Sequence, residues 1–130
     1  MDPAQEQRML EEKTGQALAE ARTKLDIAIA ELSEGNSDLV KKVWLAEEAA
    51  EYSSVLYSLT YGFEDEDPPT PAKKRNADPS VLVRESDQLL NQATNLRSKE
   101  PLEGYVHLRT VVFKLRQSHH ILERVQPKKS

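Results

Sequence analysis

Carboxylates and imidazoles are the side chains here whose type and spacing suit chemistry. Glu47, Glu48 and Glu51 fall within little more than one helical turn, and Glu64 and Asp67 follow after twelve intervening residues. Hard oxygen ligands grouped in this way are what Mg²⁺ and a triphosphate require. His107, His119 and His120 are the only histidines. Glu103 and His107 lie four apart, whereas a helical di-iron site needs Glu-x-x-His on two helices. His119 falls on an apolar stripe, where a hydrogen-bonded core or edge histidine is expected, and His107 and His120 read as surface residues. The chain has no Cys, no Gly-x-Ser-x-Gly and no Gly-rich phosphate loop, so nucleophilic catalysis has no candidate.

The acidic spacing Glu47-Glu48-x-x-Glu51…Glu64-x-x-Asp67 resembles the EExxE…ExxD signature of MazG-like all-α nucleotide pyrophosphohydrolases. The resemblance covers about twenty residues and implies a helical bundle whose carboxylates hold Mg²⁺. A second reading rests on helix geometry. Nothing breaks the helical pattern between Glu51 and Gly62, and at 1.5 Å per residue a continuous helix sets Glu51 and Glu64 ~20 Å apart. That is too far to share an ion, so Glu47, Glu48 and Glu51 are expected to form a solvated face. The chain is therefore expected to be non-catalytic, with no metal and no cofactor, and the pyrophosphohydrolase stands as the alternative.

Basic side chains give a further alternative, a weak nucleic-acid-binding accessory subunit. Arg109, Arg116 and Arg124 fall roughly on one side of the last apolar segment, with Tyr105 nearby, a pattern that can meet phosphates. The expectation preferred here is that they face the acidic half of the same molecule. Residues 1–67 hold 6 Lys/Arg against 16 Asp/Glu, whereas residues 68–130 hold 12 against 6. A mild overall net charge of −4 thus conceals halves of −10 and +6. The overall balance excludes a strongly basic nucleic-acid binder.

Four glycines and seven prolines punctuate the chain and leave long apolar-periodic stretches between them. In the first, Leu18, Ala21, Leu25, Ala28 and Leu32 recur at steps of three and four, behind Asp2 as cap and Pro3 in the first turn. The second carries two stripes. Leu45, Ala49, Tyr52, Leu56, Leu59 and Phe63 form one, and Leu39, Val43, Ala46, Ala50 and Tyr57 the other. Two stripes predict a helix buried on more than one side. The third stripe is Leu82, Ser86, Leu89, Ala93 and Leu96, opened by Asp78-Pro79. The fourth is Tyr105, Leu108, Val112, Leu115, His119 and Leu122. Residues 64–79 read EDEDPPTPAKKRNADP, without apolar periodicity.

These signals predict an all-α fold, an antiparallel four-helix bundle made of two helical hairpins with coiled-coil-like seams. Residues 1–63 form the longer acidic hairpin, 64–79 a Pro-rich linker and 80–126 a shorter basic hairpin, together one domain. Up-down-up-down is the simplest packing. Unequal hairpins leave apolar stripe for another chain or a second copy to cover. The function expected is a protein–protein interaction subunit or adaptor of a nuclear assembly, partnered by another protein or by itself. Leu45, Tyr52, Leu56, Tyr57, Tyr61 and Phe63 are the expected contact residues, because desolvated aromatics dominate interface energetics.

The linker reads as regulatory. Thr70-Pro71-Ala72-Lys73 has the form favoured by proline-directed kinases, and Lys73-Lys74-Arg75 resembles a short nuclear-import signal. The opening MDPAQEQRML has no apolar signal segment, and no apolar run approaches a membrane span. The location expected is nuclear or cytoplasmic.

Overall fold

A computed structural model describes residues 2–34, 38–64 and 77–125. Four helices account for nearly all of them: α1 (Pro3–Glu34), α2 (Leu39–Tyr61), α3 (Pro79–Leu96) and α4 (Pro101–Val125). There is no strand among the described residues. Helices α1 and α2 form one closely packed hairpin and α3 and α4 the other, so the expected bundle of two hairpins is present.

Local chemistry accounts for the helix ends. Asp2 Oδ1 accepts from the Ala4 amide at 2.8 Å ahead of Pro3, and Asp78 Oδ1 accepts from the Ser80 amide at 2.9 Å ahead of Pro79. These hydrogen bonds favour the ionised form and lower the Asp78 pKa. Helix α2 stops at Gly62, whose φ of 76° is a left-handed conformation that glycine adopts without steric cost. Asp38 stands at the N-cap of α2.

The helix order differs from the simplest one. Helix α1 packs on α2 and α3, and α4 packs on α2 and α3, so α2 and α3 are diagonal partners. Cross-helix contacts fix the directions. Glu47 of α2 meets Arg116 and His119 of α4, while Tyr57 meets Pro101, so α2 and α4 are antiparallel. Arg22 of α1 meets Asp87 of α3, and Arg97, just past α3, meets Glu11, so α1 and α3 are also antiparallel. The bundle therefore runs up-down-down-up. Tyr61 and Pro79 therefore lie at opposite ends of the bundle, separated by the ~27 Å length of the 18-residue α3. That separation explains a connection longer than a tight helix–helix turn.

The four helices are unequal in length. Helix α1, with 32 residues, is the long one, but α4, with 25, exceeds α2, with 23. No helix among the described residues is long and apolar enough to cross a membrane.

Leu18, Ala21, Leu25 and Ala28 from α1 fill the core with Leu108, Val111, Val112 and Leu115 from α4. Leu82, Val83, Leu90 and Ala93 are the buried apolar residues of α3. On α2 only one of the two predicted stripes is fully used. Val43, Ala46, Ala50 and Tyr57 are buried, whereas Tyr52 and Leu59 on the other stripe are exposed. Helix α2 is thus buried on two sides, against α1 and α4, and Leu56 of the second stripe is buried too; only Tyr52 and Leu59 of that stripe look outward.

The base of the bundle is closed by an aromatic cluster. Tyr57 lies 4.9 Å from Tyr61 and 6.0 Å from Tyr105, and Phe63 lies 5.5 Å from Tyr105, between ring centroids. The fully buried Tyr57 donates its hydroxyl to the Pro101 carbonyl at 3.0 Å. Arg97 donates to the Tyr61 hydroxyl at 2.9 Å and to the Glu11 carbonyl at 2.5 Å. Gly104 is what admits this packing. A Cβ there would collide with the Tyr57 hydroxyl and approach the Ala93 carbonyl to 3.1 Å.

Gly104→Ala is expected to destabilise the protein by about 1–3 kcal/mol in urea unfolding through overpacking, despite a helix-propensity gain of roughly 1 kcal/mol. Burial raises the Tyr57 pKa, and the Tyr61 charge adds to it against the opposing pull of Arg97. Its stability contribution is therefore full below the ordinary phenol value near 10 and is lost as pH rises beyond it. Tyr57→Phe is expected to cost about 1 kcal/mol at neutral pH. It should also flatten the alkaline loss of stability in a pH series of unfolding curves.

Candidate interaction surface

The carboxylates that invited a metal reading are divided by the fold. Helical spacing turns Glu47 and Glu51 toward α4, where the guanidinium groups of Arg109 and Arg116 meet them. Arg109 donates to Glu51 Oε2 at 3.0 Å and to the Ser54 hydroxyl at 2.9 Å. Arg116 donates to Glu47 Oε2 at 3.1 Å and reaches Glu51 Oε2 at 3.5 Å. His119 sits between Glu47 Oε1, at 3.4 Å, and Glu123 Oε1, at 3.2 Å, and these are ion pairs when the imidazole is protonated. The result is a ladder of charge between the acidic and basic hairpins. Arg109 and Arg116 therefore meet carboxylates of the first hairpin, as the charge split implied, while Arg124, expected on the same side, is exposed near the end of α4.

Glu48 points the other way, toward the α1–α2 groove. Glu64 is exposed beyond the end of α2, and Asp67 lies outside the described residues. Among the described residues no group of three or more His, Asp or Glu side chains is placed to hold a metal ion. His119 is a half-buried edge residue of the α4 seam, as expected. His107 is partly buried beside Glu103, whose Oε1 lies 3.9 Å from its Nε2.

The expected contact residues separate in the same way. Tyr57 is buried completely and Leu56 almost so, and Tyr61 and Phe63 pack against the core within the aromatic cluster. These four serve the molecule's own interior rather than an open surface. Tyr52 and Leu45 remain, and both line the groove between α1 and α2. Thr70, Lys73, Lys74 and Arg75 lie outside the described residues.

Around Tyr52 the structure exposes more apolar area than the sequence reading singled out. Trp44 is 42% exposed, Tyr52 59%, Val55 49% and Leu59 46%, and their spacing sets all four on the outward side of α2. Trp44 and Val55 belong to neither predicted stripe, and the signal that locates them is their phase, next to Tyr52 and Leu59. A shallow groove of about 580 Å³ borders this face. Ala17 and Ala49 keep it low, Lys13, Glu20 and Lys24 edge it on α1, and Glu48 edges it on α2. Small residues of this kind let another helix approach closely. Clustered large apolar side chains on one outward face are the usual mark of a contact surface.

Glu47 has only 10% of its side chain exposed, while its partner Arg116 keeps 46% in water. Discounted for that exposure, Glu47→Ala is expected to cost about 1–2 kcal/mol in urea unfolding, and Glu48→Ala close to nothing.

No family model, curated protein or solved structure matches this chain. The acidic resemblance over about twenty residues thus has no family match behind it.

Proposed function

We propose that this protein is a non-catalytic interaction subunit that binds protein through the outward face of its first hairpin. The observation that carries the reading is the exposure of Trp44, Tyr52, Val55 and Leu59 together on α2. Water-exposed aromatic and aliphatic side chains gain free energy when a partner desolvates them, at roughly 25 cal/mol per Å² of apolar surface removed from water. The charged residues of α2 that face α4 are already paired within the chain, which leaves the apolar face as the feature best suited to recognition.

The proposal extends to a nuclear assembly with a regulated linker. It rests there on sequence alone: Thr70-Pro71-Ala72-Lys73 as a kinase target and Lys73-Lys74-Arg75 as an import signal. A phosphate on Thr70 would add charge between the acidic residues 64–67 and the basic residues 73–75.

Tyr52→Glu combined with Leu59→Glu is expected to keep the helical signal and unfolding midpoint of the isolated chain. In gel filtration of extracts from the source cells, the same variant should elute as free chain while the unaltered protein elutes in a larger assembly. A double variant that stays in the assembly contradicts the reading. Alanine at Lys73, Lys74 and Arg75 together is expected to move a fluorescently tagged chain from nucleus to cytoplasm.

A further inference from the structure

The outward face of α2 has a symmetry in its own sequence that identifies an occupant. Leu45 precedes Tyr52 by seven residues and Leu59 follows it by seven. Ala49 precedes Tyr52 by three and Val55 follows it by three. A helix laid antiparallel on this one, with a two-fold axis at Tyr52, therefore meets it in matched layers. Leu45 of each copy lies level with Leu59 of the other, and small Ala49 lies level with larger Val55. The two Tyr52 rings lie side by side at the axis. Self-complementarity of this kind is what a two-fold interface demands, because each patch must bind a copy of itself.

Charge sets the same direction. Lys41 is exposed in the first turn of α2, and Glu64 is exposed just past its end. The helix dipole adds partial positive charge at the start and partial negative charge at the end. An antiparallel pair sets the positive start of each helix against the negative end of the other. A parallel pair would set like against like. Leu45, Tyr52 and Leu59 also recur at heptad spacing, the repeat that keeps one seam facing a partner helix. Ala17 and Ala49 hold the adjoining groove low enough for the second helix to settle close.

We infer that the outward face of α2 is a homodimer interface, on which a second copy of this chain docks antiparallel about Tyr52. The inference rests on the interaction reading above and names its partner.

The test begins with the mass of the purified full chain, measured by sedimentation equilibrium over a wide concentration range. Twice 14.7 kDa is expected, falling to 14.7 kDa on dilution. Tyr52→Glu and Leu59→Glu, each checked for unchanged helicity, should weaken the dimer by about tenfold or more. Lys41→Glu should weaken it less, and Lys41→Glu with Glu64→Lys should recover part of the loss. Trp44 is the only tryptophan, so its emission should shift to the blue as the dimer forms.

Orientation is read by cross-linking, which the absence of native cysteine makes site-specific. A short bifunctional thiol reagent should join Leu45→Cys to Leu59→Cys in a mixture of the two variants, in preference to joining either to itself. Self-joined products in preference to mixed ones would indicate a parallel pair and overturn the inference. A wild-type chain that stays monomeric throughout overturns it as well, and assigns the face to a foreign helix. If that monomer still leaves its native assembly on Tyr52→Glu with Leu59→Glu, the interaction reading stands without the homodimer. If the dimer forms but the native assembly ignores those substitutions, the homodimer stands and the assembly reading falls.

Discussion

The close approach of Tyr57 to Gly104 is the contact that the rest of the bundle depends on. A full-length phenol from α2 reaches the first turn of α4 and donates to the Pro101 carbonyl. That carbonyl lies just past the break between α3 and α4, so the bond sets the level of the second hairpin against the first. A methyl group at position 104 would occupy the space of the hydroxyl. Arg97 continues the tie by donating to Tyr61 on α2 and to the Glu11 carbonyl on α1. All four helices are thus registered at one end by a phenol, a guanidinium and a missing side chain.

Once that end is set, the charges fall into register along the α2–α4 seam. Glu47, Glu51, Arg109, Arg116 and His119 come together from positions more than fifty residues apart. Each pair is partly solvated, so the ladder directs α4 onto α2 more than it stabilises the fold. Its consequence for function is indirect. By drawing Glu47 inward, it turns Tyr52 and Leu59 outward, because at 3.6 residues per turn they lie well round the helix from it, while Val55, one turn on from Glu51, sits at the edge of the outward face. The apolar surface and the paired carboxylates are two outcomes of a single rotation of α2.

Much of this was legible in the residues. The α1 and α4 seams are buried as their spacing indicated, and Asp2-Pro3 and Asp78-Pro79 start helices as their capping chemistry required. Helix α2 was not legible in the same way. It carries apolar residues around most of its circumference, and periodicity reports a face's polarity without reporting what covers it. Leu45, Tyr52 and Tyr57 therefore read alike, each on an apolar stripe and each an expected contact residue, although Tyr57 is core and Tyr52 is exposed. The up-down-down-up order was hidden for a related reason. Either order buries the same stripes, and the choice between them lies in contacts such as Glu47 with Arg116.

The sequence by itself determined that the chain is helical, where most of its helices start and stop, and that an acidic half faces a basic one. Those properties follow from local chemistry: proline and glycine at the joints, capping aspartates, and apolar residues repeating at helical spacing. Only the tertiary structure decided which stripe of α2 enters the core, which carboxylates are neutralised and which aromatic side chains stay in water. Those outcomes depend on how far four helices can approach one another, and that distance is set where Tyr57 meets Gly104, in a contact between residues that local spacing does not connect.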